Sequence, residues 1–148
     1  GSANEDSLGF NYGLGIVPWA RVGVTAIFGS GSSSSAAWEN TAYNSGSRIS
    51  SNSWGYQTSS GAPIPRYDSN AQAYDAIVRD AQTGVTGLQQ LTVVFAAGND
   101  GSGSNTVSTP STAKNVITVG AGENVRQTGT DGCGIGNTGA NSANDIIG

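Results

Sequence analysis

The chain contains no histidine and only one cysteine, Cys133. The missing histidine removes the side chain that most often acts as a general base near neutral pH, and with it the commonest metal ligand. A single cysteine closes no internal disulfide and builds no structural zinc site. Cys133 therefore reads as a bystander thiol in a glycine-rich loop. Charge is also scarce: charged residues make up 11% of the chain, and the net charge is -4. With no basic patch to neutralise phosphates, nucleic acid is excluded as a partner. No apolar run approaches the roughly 20 residues of a membrane-spanning helix, so a membrane is excluded as well. No signal-peptide pattern is read in the first residues.

What fills the chain instead is Gly, Ser, Asn and Thr. Its 148 residues correspond to one domain or part of one, long enough to bury an ordinary core. The composition is that of a secreted protein, and an extracellular location is expected. No internal repeat is visible.

Residues 1–20 read as irregular. RVGVTAIF, residues 21–28, alternates and is rich in β-formers, so a strand is expected there. A serine-rich loop follows, then a short helix from Ala36 to Asn44 with Gly46 as its stop. RISSNSWG, residues 48–55, reads as a short strand. Gly61, Pro63 and Pro65 make residues 56–69 a long loop. Asp68 and Ser69 are the N-cap candidates of a second helix. Its apolar face carries Ala71, Tyr74, Asp75, Val78 and Ala81, widened by Ile77, and Gly84 and Gly87 end it. Leu91 to Ala96 is continuously apolar, as in a strand buried on both faces. VITVGA, residues 116–121, is expected to be another buried strand. The remainder, from Gly122 to Gly148, is polar and glycine-rich.

Strands alternating with helices imply βαβ units and a mostly parallel sheet, an α/β fold. Ligands in such sheets sit beyond the carboxyl ends of the strands. Two of these ends carry unusual residues: Ser53-Trp54-Gly55, and Ala96-Ala97-Gly98-Asn99. Taken alone, the second is ordinary turn chemistry, since Gly-Asn-Asp-Gly suits a tight turn.

The motifs do not stand alone. GIVPWARVGV, RISSNSWG, LTVVFAAGNDG and NTVSTPSTAKNVITVGA occur in that order. This order resembles the middle of a subtilisin-like serine protease, a subtilase. Subtilases carry Gly-x-x-Pro before a strand, here Gly15 to Pro18. They carry a strand ending in Ser-x-Gly, here Ser53 to Gly55, and one ending in Ala-Ala-Gly-Asn, here Ala96 to Asn99. A proline before a polar stretch then leads to a Val-Ile-x-Val-Gly-Ala strand, here Pro110 and Val116 to Ala121. Ordered motifs are far more specific than any one of them. The resemblance implies a three-layer, mostly parallel α/β fold, incomplete in this chain, with residues 1–148 forming the central part of a peptidase catalytic domain.

The resemblance also implies roles. Asn99 would donate its side-chain amide to the oxyanion formed when a serine attacks the scissile carbonyl. A fixed neutral donor suits that task, because it stabilises developing charge without first being ionised. Ser53, Trp54, Gly55, Ala96, Ala97 and Gly98 would form walls of the primary specificity pocket, with Ser108 at its back. An extended peptide would pair with their backbones as an added strand. The loop around Gly29 to Gly31 would supply the opposite substrate-binding strand. Trp54 also suits a purely packing role. The family often has a cis peptide at the position of Thr109-Pro110, although trans is the ordinary expectation.

Subtilases act through Asp, His and Ser, and none of the three motifs occurs here; Asp6, Asp68, Asp100 and Asp145 do not match the Asp motif. The parent protein is expected to be a secreted serine endopeptidase acting on peptides or proteins. The chain alone is expected to be inactive, because a serine without a base is a weak nucleophile. The strand bearing the triad Asp lies inside the sheet in the family. Without it, free strand edges and exposed apolar surface are expected, satisfied by the missing parts of the same domain or by self-association. A non-catalytic subtilase-like binding module is the alternative. A nucleotide-binding reading rests on GIGNTG, residues 134–139, but no strand leads into it and no helical pattern follows. Calcium is possible: Asn4, Glu5, Asp6, Asp100 and Asp131 supply oxygen ligands. No loop has EF-hand spacing, so neither a metal site nor a cofactor is expected.

Overall fold

A computed structural model describes residues 15–28, 33–101 and 103–121. Its regular elements are α1 (Ser35–Asn44), β1 (Ile49–Asn52), α2 (Ser69–Arg79), β2 (Thr92–Ala96) and β3 (Ile117–Val119). The strands form a parallel sheet in the order β1-β2-β3. α2 is the crossover from β1 to β2, and residues 97–116 connect β2 to β3. The architecture is that of an incomplete α/β subtilisin-like fold.

Both helices have chemically explicit ends. Ser34 caps α1 by accepting from the Ala37 N–H. At its other end the Gly46 N–H bonds to the Tyr43 carbonyl and the Ser47 N–H to the Ala42 carbonyl. This double closure requires a left-handed residue, and Gly46 has φ +99°. Asp68 caps α2 through bonds from the Asn70 and Ala71 N–H groups. α2 stops at Arg79, before Gly84 and Gly87. Its C-cap Asp80 turns its own carboxylate onto the Gln82 N–H at 2.9 Å, and this local bond replaces helical continuation.

The core lies between α2 and one face of β2. Tyr74 and Ile77 of α2 meet Val93 and Phe95 of β2, joined by Ala81 and Leu91. Rings of Tyr74 and Phe95 meet edge to face at 4.8 Å. Ile77, expected only to widen the apolar face, is a central core residue, while Val78 and Asp75 are half-buried. The Asp75 carboxylate accepts from the Tyr67 hydroxyl and the Asn115 N–H, which explains an acid on that face.

The strand expectations need correction in three places. β2 is buried on one face only: Val93 and Phe95 are buried, Val94 is half-buried, and Thr92 and Ala96 are exposed. β3 is exposed throughout, because no described element covers it. Residues 21–27 carry no strand. Among the described residues, no strand pairs with the outer edge of β1; a cavity of about 230 Å³ separates it from residues 21–27, with Gly23, Thr25 and Ile27 on one wall and Ile49 to Asn52 on another. An alternating sequence without a backbone partner forms no ladder. Val22 and Val24 are consequently 85% and 93% exposed.

Candidate functional site at the carboxyl ends of the strands

β1 and β2 are in register, with Asn52 opposite Phe95. The segments that follow therefore emerge side by side. Between them lies an open cleft of about 470 Å³, lined by Ser53, Trp54, Gly55, Ala96, Ala97, Gly98, Asn99 and Ser108. The proposed oxyanion residue and all seven proposed pocket-wall residues thus border the same cleft. Gln57, Asp100 and Ser111 also line it, which the sequence does not announce. Asp100 adjoins Asn99 and offers itself from sequence only as an oxygen ligand, while Gln57 and Ser111 carry no distinguishing signal.

The floor of the cleft follows from backbone chemistry. The Ala97 N–H donates to the Val119 carbonyl at 2.8 Å and prolongs the β2–β3 pairing past the end of β2. Gly98 then adopts φ +111°, a left-handed conformation that favours glycine. The chain turns away there, and Asn99 is left exposed at the rim. No hydrogen bond ties the Asn99 side chain to another described residue in the structure.

Ser108 closes the cleft from behind. It is 8% exposed, and its hydroxyl is fully engaged. It accepts from the Ile64 N–H at 2.9 Å and donates to the Tyr56 carbonyl. The serine is thus a cross-link that fastens the loop between Tyr56 and Ile64. Its neighbour Thr109 continues the fastening: its N–H donates to the Ile64 carbonyl, and its carbonyl accepts from the Tyr56 N–H. The Thr109 hydroxyl donates to the Asp68 carboxylate at 2.6 Å. Burial pushes the Asp68 carboxyl upward. The bonds from Thr109, Ala71 and Asn70 outweigh it and hold the group below the ordinary carboxylate range. The Thr109-Pro110 peptide is cis. The Ser111 hydroxyl donates to the Ala96 carbonyl and secures the end of β2.

Trp54 serves packing and cleft together. Its ring meets Phe95 at 5.5 Å, Tyr56 at 5.6 Å and Tyr74 at 6.1 Å, while the residue also forms part of the cleft wall. Behind it lie two buried polar groups. Glu39 is 4% exposed. Burial raises its carboxyl above the ordinary value, opposed by the bond from Ser50 and by the nearby Tyr74 hydroxyl. That hydroxyl is buried and has no partner at full hydrogen-bond geometry among the described residues. Burial, then the nearby Glu39 charge, pushes it well above the usual phenol range.

Asn4, Glu5, Asp6, Asp131, Cys133, Asp145, the Gly29–Gly31 loop and GIGNTG lie outside the described residues. Among the described residues, no helix is long and apolar enough to cross a membrane.

The cleft combines residues from two strand ends, small side chains, and an amide at the rim. The chain has no histidine to serve as a base there. A comparison with curated proteins returns no match. The subtilase family model matches residues 1–146, nearly the whole chain. The chain therefore belongs to the subtilase family, whose members are serine peptidases of subtilisin-like fold.

Proposed function

We propose that this chain forms the oxyanion and substrate-pocket portion of a secreted serine endopeptidase, with Asn99 as the oxyanion donor. The observation that carries the reading is the convergence of Ser53 to Gly55, Ala96 to Asn99 and Ser108 on one cleft. An extended peptide would lie along residues 53–55 and 96–98, which line the cleft. One of its side chains would enter the space left by Ala96, Ala97 and Gly98. The scissile carbonyl would then lie near Asn99, whose amide N–H would meet the negative charge that develops on the oxygen. The substrate is a peptide or protein, and the chemistry needs no cofactor.

The attacking serine and its base come from elsewhere in the same domain, because the chain has no histidine. The outer edge of β1 and the apolar side chains of residues 16–28 are suited to receive those missing parts. Ile16, Trp19, Val24 and Phe28 stand largely exposed, as does Ile49 on β1. The gap between residues 23–27 and β1 is the place for an added strand.

The reading is tested by treating the chain alone with a fluorophosphonate probe and a chromogenic peptide. No serine is expected to be labelled, and hydrolysis should not exceed that in buffer. Specific labelling of any serine would overturn the proposed division of labour.

A further inference from the structure

Residues 50, 52 and 54 follow one another along one face of β1 and its extension, as the period of a strand requires. Their side chains are joined in a chain of hydrogen bonds. The Trp54 indole Nε1 donates to Asn52 Oδ1 at 3.0 Å. Asn52 Nδ2 donates to Ser50 Oγ at 2.9 Å. Ser50 Oγ donates to Glu39 Oε1 at 2.8 Å. The direction of this chain is fixed by chemistry. An indole N–H can only donate, so Asn52 must turn its oxygen to Trp54 and its NH₂ to Ser50. Ser50, accepting there, gives its own proton to Glu39. A carboxylate, which only accepts, is the natural end of such a chain. Asn52 Nδ2 also reaches the Val94 carbonyl of β2 at 3.4 Å, which anchors the amide to the sheet.

We propose that Glu39, Ser50 and Asn52 form a relay that fixes the Trp54 indole, making Glu39 a positioning residue for the wall of the cleft. The inference rests on reading that cleft as the substrate site. Its start is a side chain bordering the cleft, and its end is the buried carboxylate on α1. The cavity between Glu39 and the edge of β1 is lined by Gly23, Thr25, Ile27, Trp38, Tyr74 and neighbouring small residues. Among the described residues, its ionisable members are Glu39 from α1 and Tyr74 from α2; β1 presents Ser50 and Asn52, which do not titrate. Tyr74 stays neutral across the ordinary range because burial pushes its hydroxyl up. A charge change here in acid or near neutrality therefore belongs to Glu39, whose carboxyl burial raises. A charged Glu39 accepts strongly from Ser50 and polarises each link toward itself; a protonated Glu39 does so weakly.

The test is an NMR titration of the 148-residue chain, following the Trp54 indole N–H resonance, assigned by its loss in Trp54→Phe. The resonance is expected to shift with pH, with its midpoint above the ordinary Glu value of about 4.3. Glu39→Gln keeps an acceptor for Ser50 and should leave the resonance in place but flat across the titration. Ser50→Ala should also flatten it while the Glu39 carboxyl still titrates. A flat resonance in the unaltered chain, or a full titration in Ser50→Ala, would overturn the relay. In the same samples, a capped Ala-Ala-Phe-Ala peptide should shift the Ala97 and Gly98 amides. Absence of those shifts alongside an intact indole titration would overturn the substrate reading alone.

Discussion

Asn52 stands opposite Phe95 in the parallel ladder of β1 and β2. That register is the structural root of the cleft, because it places Ser53 beside Ala96 and delivers both following segments to one opening. A shift of one residue would send Trp54 to the other face of the sheet and break the alignment. Phe95 is fully buried against Tyr74 and Trp54, so the register is held by the core.

Gly98 is expected to resist substitution for a backbone reason. At φ +111° an alanine side chain is strained, although its Cβ would meet only ordinary contacts. Gly98→Ala should lower stability by about 1 kcal/mol or more, read as a lower urea midpoint. An unchanged midpoint would show that the turn is free to relax.

Ser108→Ala tests the fastening behind the cleft. The substitution strands the Ile64 N–H and the Tyr56 carbonyl together. A loss of about 0.5–1.5 kcal/mol per lost bond is expected, because both bonds are only part-buried and water replaces them in part. Proteolysis of the loop between Tyr56 and Ile64 should accelerate in step. A variant with wild-type stability and unchanged cleavage would contradict the cross-link.

Asp68 ties two elements, as N-cap of α2 and acceptor for Thr109. Asp68→Ala should cost about 1–2 kcal/mol, the usual range for a lost cap. Its carboxyl is held below the ordinary range in the folded chain. Its contribution is therefore present above the unfolded value of about 3.9 and disappears as pH falls through the lower folded value. Urea unfolding from near-neutral to strongly acid pH should show that loss in the wild type and less of it in Asp68→Asn.

Glu39 should behave with the opposite sign. Its folded carboxyl is raised by burial. It favours the folded state below the unfolded value of about 4.3, and that contribution is lost as pH rises through the folded value. Glu39→Gln, which keeps the shape and the acceptor for Ser50, should be more stable than wild type near neutral pH and flatter in stability from there down to the ordinary Glu value. Equal pH profiles for the two proteins would contradict a buried, ionising Glu39.

Much of this site is legible in the sequence, and for a physical reason. Strand ends, turn residues and caps are local events: Asp68, Gly46 and the run from Ala96 to Asn99 act within a few residues of themselves. What is not legible depends on neighbours. RVGVTAIF has the alternation of a strand, but a ladder needs a second backbone, and the edge of β1 lies across a cavity. β3 has the composition of a buried strand, but nothing among the described residues covers Ile117 or Val119. The engagement of Ser108 with Ile64 and Tyr56 spans dozens of residues, and no local pattern announces it. The early end of α2 at Asp80 turns on one carboxylate bond to Gln82 that competes with the helix.

The most direct test of the account is Asn99→Ala in a polypeptide that joins this chain to the segments bearing the Asp, His and Ser of the domain. The account predicts a fall in kcat of about 10²–10³ with KM little changed, the magnitude being that known for the oxyanion asparagine of subtilisin itself. Peptide cleavage at an undiminished kcat would contradict the assignment of Asn99 to the oxyanion.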